Sequence, residues 1–257
     1  MPQGGIPVYM RIDSAIVMVN NHQVADAITD VWVEANTDNL GAYELPSNFP
    51  ALQQNDIRYV INAGIKESGQ SGIRVIYPFY TTDTFSIVGT PGEQYSHQPV
   101  FRYVPATVFA IDEDFDAGNG FGLGPHVSVV SDVNVDPIYG GSRCLKLNVT
   151  SVDSNVEAGY TNTIALPAGQ EIWLEVSYKA EVPFYAGFYG NFNTGGVLKQ
   201  PVLFVTEKTE WSKVYIKLSN YVGVMHADTY TIYFEALRPY GSQGGSVYID
   251  NVKLVHF

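Results

Sequence analysis

The chain has 257 residues, 46% of them apolar, which excludes a disordered linker and provides for one large β domain or two modest ones. Fourteen Lys and Arg against 26 Asp and Glu leave a formal charge of −12, which repels a phosphate backbone and excludes nucleic acid as a partner. A single cysteine, Cys144, excludes an intrachain disulfide framework and a Cys-rich metal site, and it reads as a small buried apolar side chain.

The opening MPQGGIPVYM has neither a basic n-region nor a hydrophobic h-region, so it reads as a flexible, trimmed start from which a signal peptide has been removed. No run approaches the roughly 18 apolar residues of a membrane span, and a soluble chain is expected. Beyond the start, apolar residues almost never recur at three-and-four spacing. Short alternating runs bounded by Gly, Pro, Asn and Asp recur instead, which predicts an all-β protein. In the first part these are PVYMRID, AIVMVN, ITDVWVEAN, IRYVINA, with a polar turn at Gln53-Gln54-Asn55-Asp56, and IRVIYPFY. The Pro- and Gly-rich stretch VGTPGEQYSHQPVFRYVPATVFAI predicts an irregular connection or a loop crossing one domain's face, followed by a domain boundary that divides the chain into 1–110 and 111–257.

In the second part the runs are CLKLNVT, EIWLEVSYKA, VLFVTE, KVYIKLSN, TYTIYFEAL and SVYIDNVKLV. The last contains a puzzle. Val247, Ile249, Val252 and Leu254 read as one buried strand, yet Asp250 and Asn251 interrupt it, and the apolar positions change parity across the pair. That parity change predicts a β-bulge. A cation site is a second reading, compatible with the first: carboxylates from the domain's first and last strands converge in many sandwiches and repel unless a cation lies between them.

Aromatic faces and planar polar groups are what sugars require. Extended throughout, PFYAGFYGNFNTGG puts Phe184, Phe188 and Phe192 on one face and Tyr185, Tyr189, Asn191 and Asn193 on the other. In EIWLEVSYKA, Trp173 and Glu175 oppose Ile172, Leu174, Val176 and Tyr178; in TIYFEA, Tyr233 and Glu235 oppose Ile232, Phe234 and Ala236. Trp173, Glu175, Tyr185, Tyr189, Asn191, Tyr233 and Glu235 are therefore the candidate ligand-binding residues. The alternative is that a two-sheet sandwich simply needs aromatics in its core and tolerates Tyr outside it. The five histidines show no metal-ligand spacing, and no Ser-His-Asp elbow or phosphate-binding Gly loop is present.

Two resemblances add to this reading. GAYELP, with the strands around it, resembles the small immunoglobulin-like PEGA-type modules of bacterial envelope proteins, and GIKESGQSGIRVIYPFY resembles stretches of envelope lipoproteins. Residues 111–257 resemble calcium-containing jelly-roll carbohydrate-binding modules, through DEDFDAG, GGSRCLKLNVT, LPAGQEIWLEVSYKA, TEWSKVYIKL and VYIDNVKLV in that order. The resemblance implies calcium held by Asp114, Asp116 and Asp250, with backbone carbonyls and Glu113 or Asn251 completing its shell. The chain departs from that pattern in carrying Asp where Glu is usual and Asn where a second Asp is usual. Together they imply an immunoglobulin-like spacer followed by a jelly-roll module that binds a polysaccharide without catalysis, in a secreted or envelope protein that meets the membrane only through a removed lipid anchor. Two other functions compete: adhesion through contacts with cell-surface proteins, and a glycoside hydrolase or lyase with unrecognised catalytic residues.

Overall fold

A computed structural model describes residues 5–24, 26–52, 55–131 and 141–257. The Met-Pro-Gln-Gly start, Gln53 and Gln54 of the expected turn, and Gly140 lie outside the described residues. The chain divides into two compact units, Met1–Pro105 and Ala106–Phe257. Among the described residues, the regular structure of both is strand, apart from one short helix in the second.

In the first unit the strands are β1 (Val8–Ile12), β2 (Ile16–Val19), β3 (His22–Val24), β4 (Ile28–Ala35), β5 (Asp38–Glu44) and β6 (Ser47–Ala51). They continue with β7 (Asn55–Lys66), β8 (Arg74–Ile76), β9 (Asp83–Gly89), β10 (Gln94–Ser96) and β11 (Val100–Phe101). They form a five-stranded sheet around β4 and β7 and two three-stranded sheets, β10-β1-β6 and β11-β2-β3. The stretch expected to be an irregular connection therefore carries strands. β10 and β11 pair in parallel with β1 and β2, and two or three residues are too few for alternation to register in sequence. IRVIYPFY is a strand only over Arg74–Ile76; Tyr77, Phe79 and Tyr80 are buried without belonging to one.

The second unit contains β12 (Val108–Glu113), β13 (Val127–Ser131), β14 (Arg143–Val149), β15 (Asn155–Gly159) and β16 (Ile172–Ala180). β17 (Phe184–Asn191), β18 (Val197–Val205), β19 (Lys208–Lys217), helix α1 (Ser219–Met225), β20 (Thr229–Leu237) and β21 (Gly245–His256) follow. One sheet has the order β13-β14-β21-β16-β19, with β12 also on β21; the other is β15-β20-β17-β18. From β14 onward the chain passes back and forth between the two sheets, the winding of a jelly roll. Leu145, Leu147, Leu174, Val176, Val247, Ile249, Val252 and Leu254 of one sheet meet Val156, Phe184, Phe188, Ile232 and Phe234 of the other in a continuous core. KVYIKLSN is a strand only to Lys217, because Ser219 opens the short helix, where its Oγ accepts the Ile172 N–H at 2.9 Å.

β21 changes partner midway. Gly245–Ile249 pairs with β14 and Val252–His256 with β12, so Asp250 and Asn251 fall where neither strand is paired on that side. On the other side four β21 residues, Asp250 to Lys253, face three of β16, Glu175 to Ser177. This is the bulge that the parity change predicts. Asn251 supplies it with a left-handed backbone at φ 47°.

Candidate functional site

Alternation along β17 decides which side chains leave the core. Phe184, Ala186 and Phe188 are buried in the sandwich, so Tyr185, Gly187, Tyr189 and Asn191 occupy the opposite face. Register extends that face across the sheet in rows. Tyr185 stands between Glu235 and Phe204, Gly187 between Tyr233 and Pro201, Tyr189 between Thr231 and Lys199, and Asn191 between Thr229 and Val197. Glu157 lies directly beside Glu235.

Two glutamates opposed on neighbouring strands repel one another. Lys199 offsets that repulsion. Its Nζ donates to Glu157 Oε2 at 2.6 Å and Glu235 Oε2 at 2.7 Å, and it lies 4.6 Å from the centre of the Tyr233 ring and 5.8 Å from that of Tyr189. The Tyr189 phenol donates to Glu157 Oε1 at 2.7 Å, and Asn155 Nδ2 donates to Glu235 Oε1, so every oxygen of the pair has a donor. Asn191 Nδ2 donates to Thr231 Oγ1 at 3.3 Å. Burial works against the Lys199 charge, but the hydrogen bonds and charges of the two glutamates outweigh it and raise its pKa. Burial, reinforced by the bond to Glu157, raises the Tyr189 pKa as well.

The aromatic rings form two pairs, Tyr189 with Tyr233 at 5.0 Å and Tyr185 with Phe204 at 5.2 Å between centres. Phe204 is 48% exposed. Tyr233 is wholly buried, and burial pushes its pKa up to about 12; its Oη has no partner among the described residues. Its ring lies against Gly187, where an added Cβ would come within 2.7 Å of that Oη. Two hollows of the unit, of 650 and 450 Å³, open beside α1. On the tyrosine face itself Tyr185 and Tyr189 are half-buried and Phe204 is exposed.

Five of the seven candidate ligand residues, Tyr185, Tyr189, Asn191, Tyr233 and Glu235, therefore share one face, but Tyr233 is wholly buried beneath it and offers a ligand no surface. Trp173 and Glu175 do not: they belong to β16, in the other sheet, and both are buried, with Glu175 paired to Lys213 Nζ at 2.5 Å. Alternation gave them the correct side of their strand. It carries no information on which sheet the strand joins. Phe192 and Asn193 leave the register because β17 ends at Asn191; Asn193 lies in the following turn, its N–H donating to Asp228 Oδ2. The sequence reading missed Glu157, Lys199, Asn155 and Phe204. The run NVEAG alternates and could have revealed the first, but β18 is bulged at Pro201, which hides its register.

The acidic candidates are at the partner change in β21. Glu113 pairs with Val252, so the loop Asp114-Phe115-Asp116 leaves β12 beside Asp250. Asp116 Oδ1 accepts the N–H groups of Ser142 and Arg143, which ties this loop to the start of β14. Asp250 is wholly buried; Asn251 N–H donates to its Oδ1, while its Oδ2 has no partner among the described residues. Burial, with the charges of Asp116 and Asp114, pushes its pKa up to about 8. An orphaned, buried carboxylate oxygen within electrostatic reach of two further carboxylates has the donor chemistry calcium takes. Among the described residues, however, no three acidic, His or Cys side chains converge closely enough to hold an ion by themselves, so backbone carbonyls would have to contribute. Glu113 is committed elsewhere, accepting the N–H groups of Phe115 and Gly120.

No protein-family model matches the chain, and no curated protein matches it. Several solved structures are similar in shape. A carbohydrate-binding module from work on promiscuous specificity in the β-sandwich superfamily is 11% identical with a TM-score of 0.45, the match covering 98% of this chain and 99% of that one. The CBM22-1 xylan-binding domain of Paenibacillus barcinonensis Xyn10C is 12% identical with a TM-score of 0.43, over 60% of this chain and 97% of that one. The family 11 carbohydrate-binding module of Clostridium thermocellum Lic26A-Cel5E is 15% identical with a TM-score of 0.39, over 58% and 95%. Likenesses of this degree transfer no activity, and the functional reading rests on the residues themselves.

Proposed function

We propose that the second unit binds a polysaccharide, without catalysis, along the outer face of β15-β20-β17-β18. The observation that carries this is the row structure of that face: two ring pairs alternate with Glu157, Glu235, Asn191 and Lys199, with Tyr189, Glu157, Lys199 and Glu235 bonded in one network and Asn191 bonded to Thr231. Tyr185 and Tyr189 are four residues apart on one strand, about 13 Å, which exceeds one sugar ring and suits an oligosaccharide. Rings stack on sugar C–H faces while the amide and carboxylates bond hydroxyls. The binding reading over a hydrolytic one is supported by Glu157 and Glu235 being committed to a single ammonium, with neither left to pass a proton.

Calcium bracing the partner change through Asp250, with Asp116 and Asp114, belongs to the same proposal; it would supply the positive charge that these carboxylates lack. So do a spacer role for the first unit and a secreted or envelope location, which rest on the composition and on the sequence resemblance. Affinity gel electrophoresis over a panel of neutral polysaccharides tests the binding. Retention by at least one, lost in Tyr185→Ala/Tyr189→Ala, is the expected result; retention by none sinks the reading, and release of reducing sugar would replace it with an enzymatic one.

A second reading, protein contact, is favoured by the exposed Val197, Leu198 and Phe204 on β18, the outermost strand of its sheet. Under that reading Phe204→Ser leaves glycan retention absent and weakens attachment to cell-surface protein.

A further inference from the structure

We propose that Lys199 sets the charge class of the ligand: Glu157, Glu235, Tyr189 and Tyr233 form a box for an ammonium ion, the chain fills it with its own side chain, and the face is thereby kept for uncharged sugar chains and closed to amino sugars. The specificity half of this inference rests on the glycan reading above; the box does not.

The four residues have the chemistry of an ammonium site. Two carboxylate oxygens receive N–H protons at 2.6 and 2.7 Å, and two ring faces lie within cation–π range. Two glutamates placed directly opposite one another are unfavourable until a cation joins them, and the Lys199 ammonium is the cation that does so here. The other oxygens of both glutamates are satisfied by Tyr189 and Asn155, which orient the carboxylates toward the ammonium. Lys199 reaches the box from the edge strand, and its side chain remains 35% exposed, so the box opens to solvent.

An amine on a ligand would compete for the same two oxygens. The tethered lysine is always at hand, at an effective concentration no dilute ligand matches, so the competitor loses. With the lysine in place the oxygens accept no further cation, and the two carboxylates against one ammonium leave a residual negative charge that also disfavours uronate chains.

The test titrates n-propylammonium into the wild type, Lys199→Ala and Lys199→Met at neutral pH and physiological salt, following the ring resonances of Tyr189 and Tyr233. Lys199→Ala empties the box and is expected to bind the probe at least about tenfold more tightly than the wild type. Lys199→Met keeps the stem without the charge and should bind it no better than the wild type. Equal affinity in all three overturns the box. Should Lys199→Ala not fold, the wild-type Lys199 ammonium resonance decides: ring-current shifted and slow to exchange supports the box, ordinary position and exchange overturns it. A third arm compares cellotetraose with tetraglucosamine, which share a β-1,4 backbone and differ at C2 in hydroxyl against ammonium. Lys199→Ala should move the affinity ratio about tenfold toward tetraglucosamine, and an unchanged ratio overturns the specificity role. A wild type retained by no neutral polysaccharide would sink the glycan reading and the specificity role with it, while the propylammonium titration still decides the box.

Discussion

The phenol of Tyr189 donates to Glu157 at 2.7 Å across β20, the strand that lies between theirs. A bond that crosses an intervening strand fixes the ring and the carboxylate before any ligand arrives, which lowers the cost of ordering them on binding. Tyr189→Ala should therefore weaken polysaccharide binding about fivefold, for a stacking contribution of about 1 kcal/mol. Tyr189→Phe retains the stack and should lose less. Affinity electrophoresis of both variants checks the order.

Gly187 is expected to be intolerant of any side chain. A Cβ there would come within 2.7 Å of Tyr233 Oη and closer still to the Gln200 carbonyl, whose backbone cannot give way. Gly187→Ala should cost about 1 to 3 kcal/mol by overpacking, read by urea unfolding, and should also weaken binding because Tyr233 is displaced.

Glu175 and Lys213 are an ion pair with both side chains almost completely buried. Removing one partner leaves an uncompensated charge, so Glu175→Gln or Lys213→Met alone should destabilise the protein by about 3 to 5 kcal/mol. The double variant should recover much of the loss. Glycan retention by the folded double variant should equal that of the wild type, because the pair lies in the other sheet; a loss of retention would return Glu175 to the binding residues.

Asp30 gives the first unit a pH dependence. It is buried, its Oδ2 accepts no hydrogen bond among the described residues and has only a long ion pair with Arg74 Nη1 at 3.9 Å, and burial raises its pKa above the usual carboxylate value. A raised carboxyl pKa means the unfolded chain ionises first as pH rises, so the stability present below about pH 4 is lost progressively above it. Asp30→Asn should melt higher than the wild type at pH 8, with the difference shrinking toward pH 4. An unchanged difference across that range would remove Asp30 as its cause.

Calcium is tested at Asp250. If the cation braces the partner change in β21, a chelator should lower the melting temperature of the second unit and added calcium restore it, and Asp250→Asn should abolish the response. A melting temperature indifferent to both leaves the bulge alone.

Much of the fold was legible because a β-strand writes its two faces into alternate residues. The parity change from Val247 and Ile249 to Val252 and Leu254 located the bulge at Asp250-Asn251, and the alternation in FYAGFYGN and TIYFEA put Tyr185, Tyr189, Asn191, Tyr233 and Glu235 on the face turned away from the other sheet, although it did not show that Tyr233 is wholly buried there. Where the pattern was short it failed, as at β10 and β11. Where one residue departs from it, as beside Pro201, the partners Lys199 and Phe204 went unseen.

By itself, then, the order of residues determined the all-β class, which side of each long strand is apolar, and the place of the bulge, since these depend on neighbours one to five residues apart. Tertiary structure alone decided which strands share a sheet, that Trp173 and Glu175 sit apart from the tyrosines, and that Lys199 lies between two glutamates 42 and 36 residues away. Pairing partners are chosen by the burial of both sheets at once, and no local pattern records that choice.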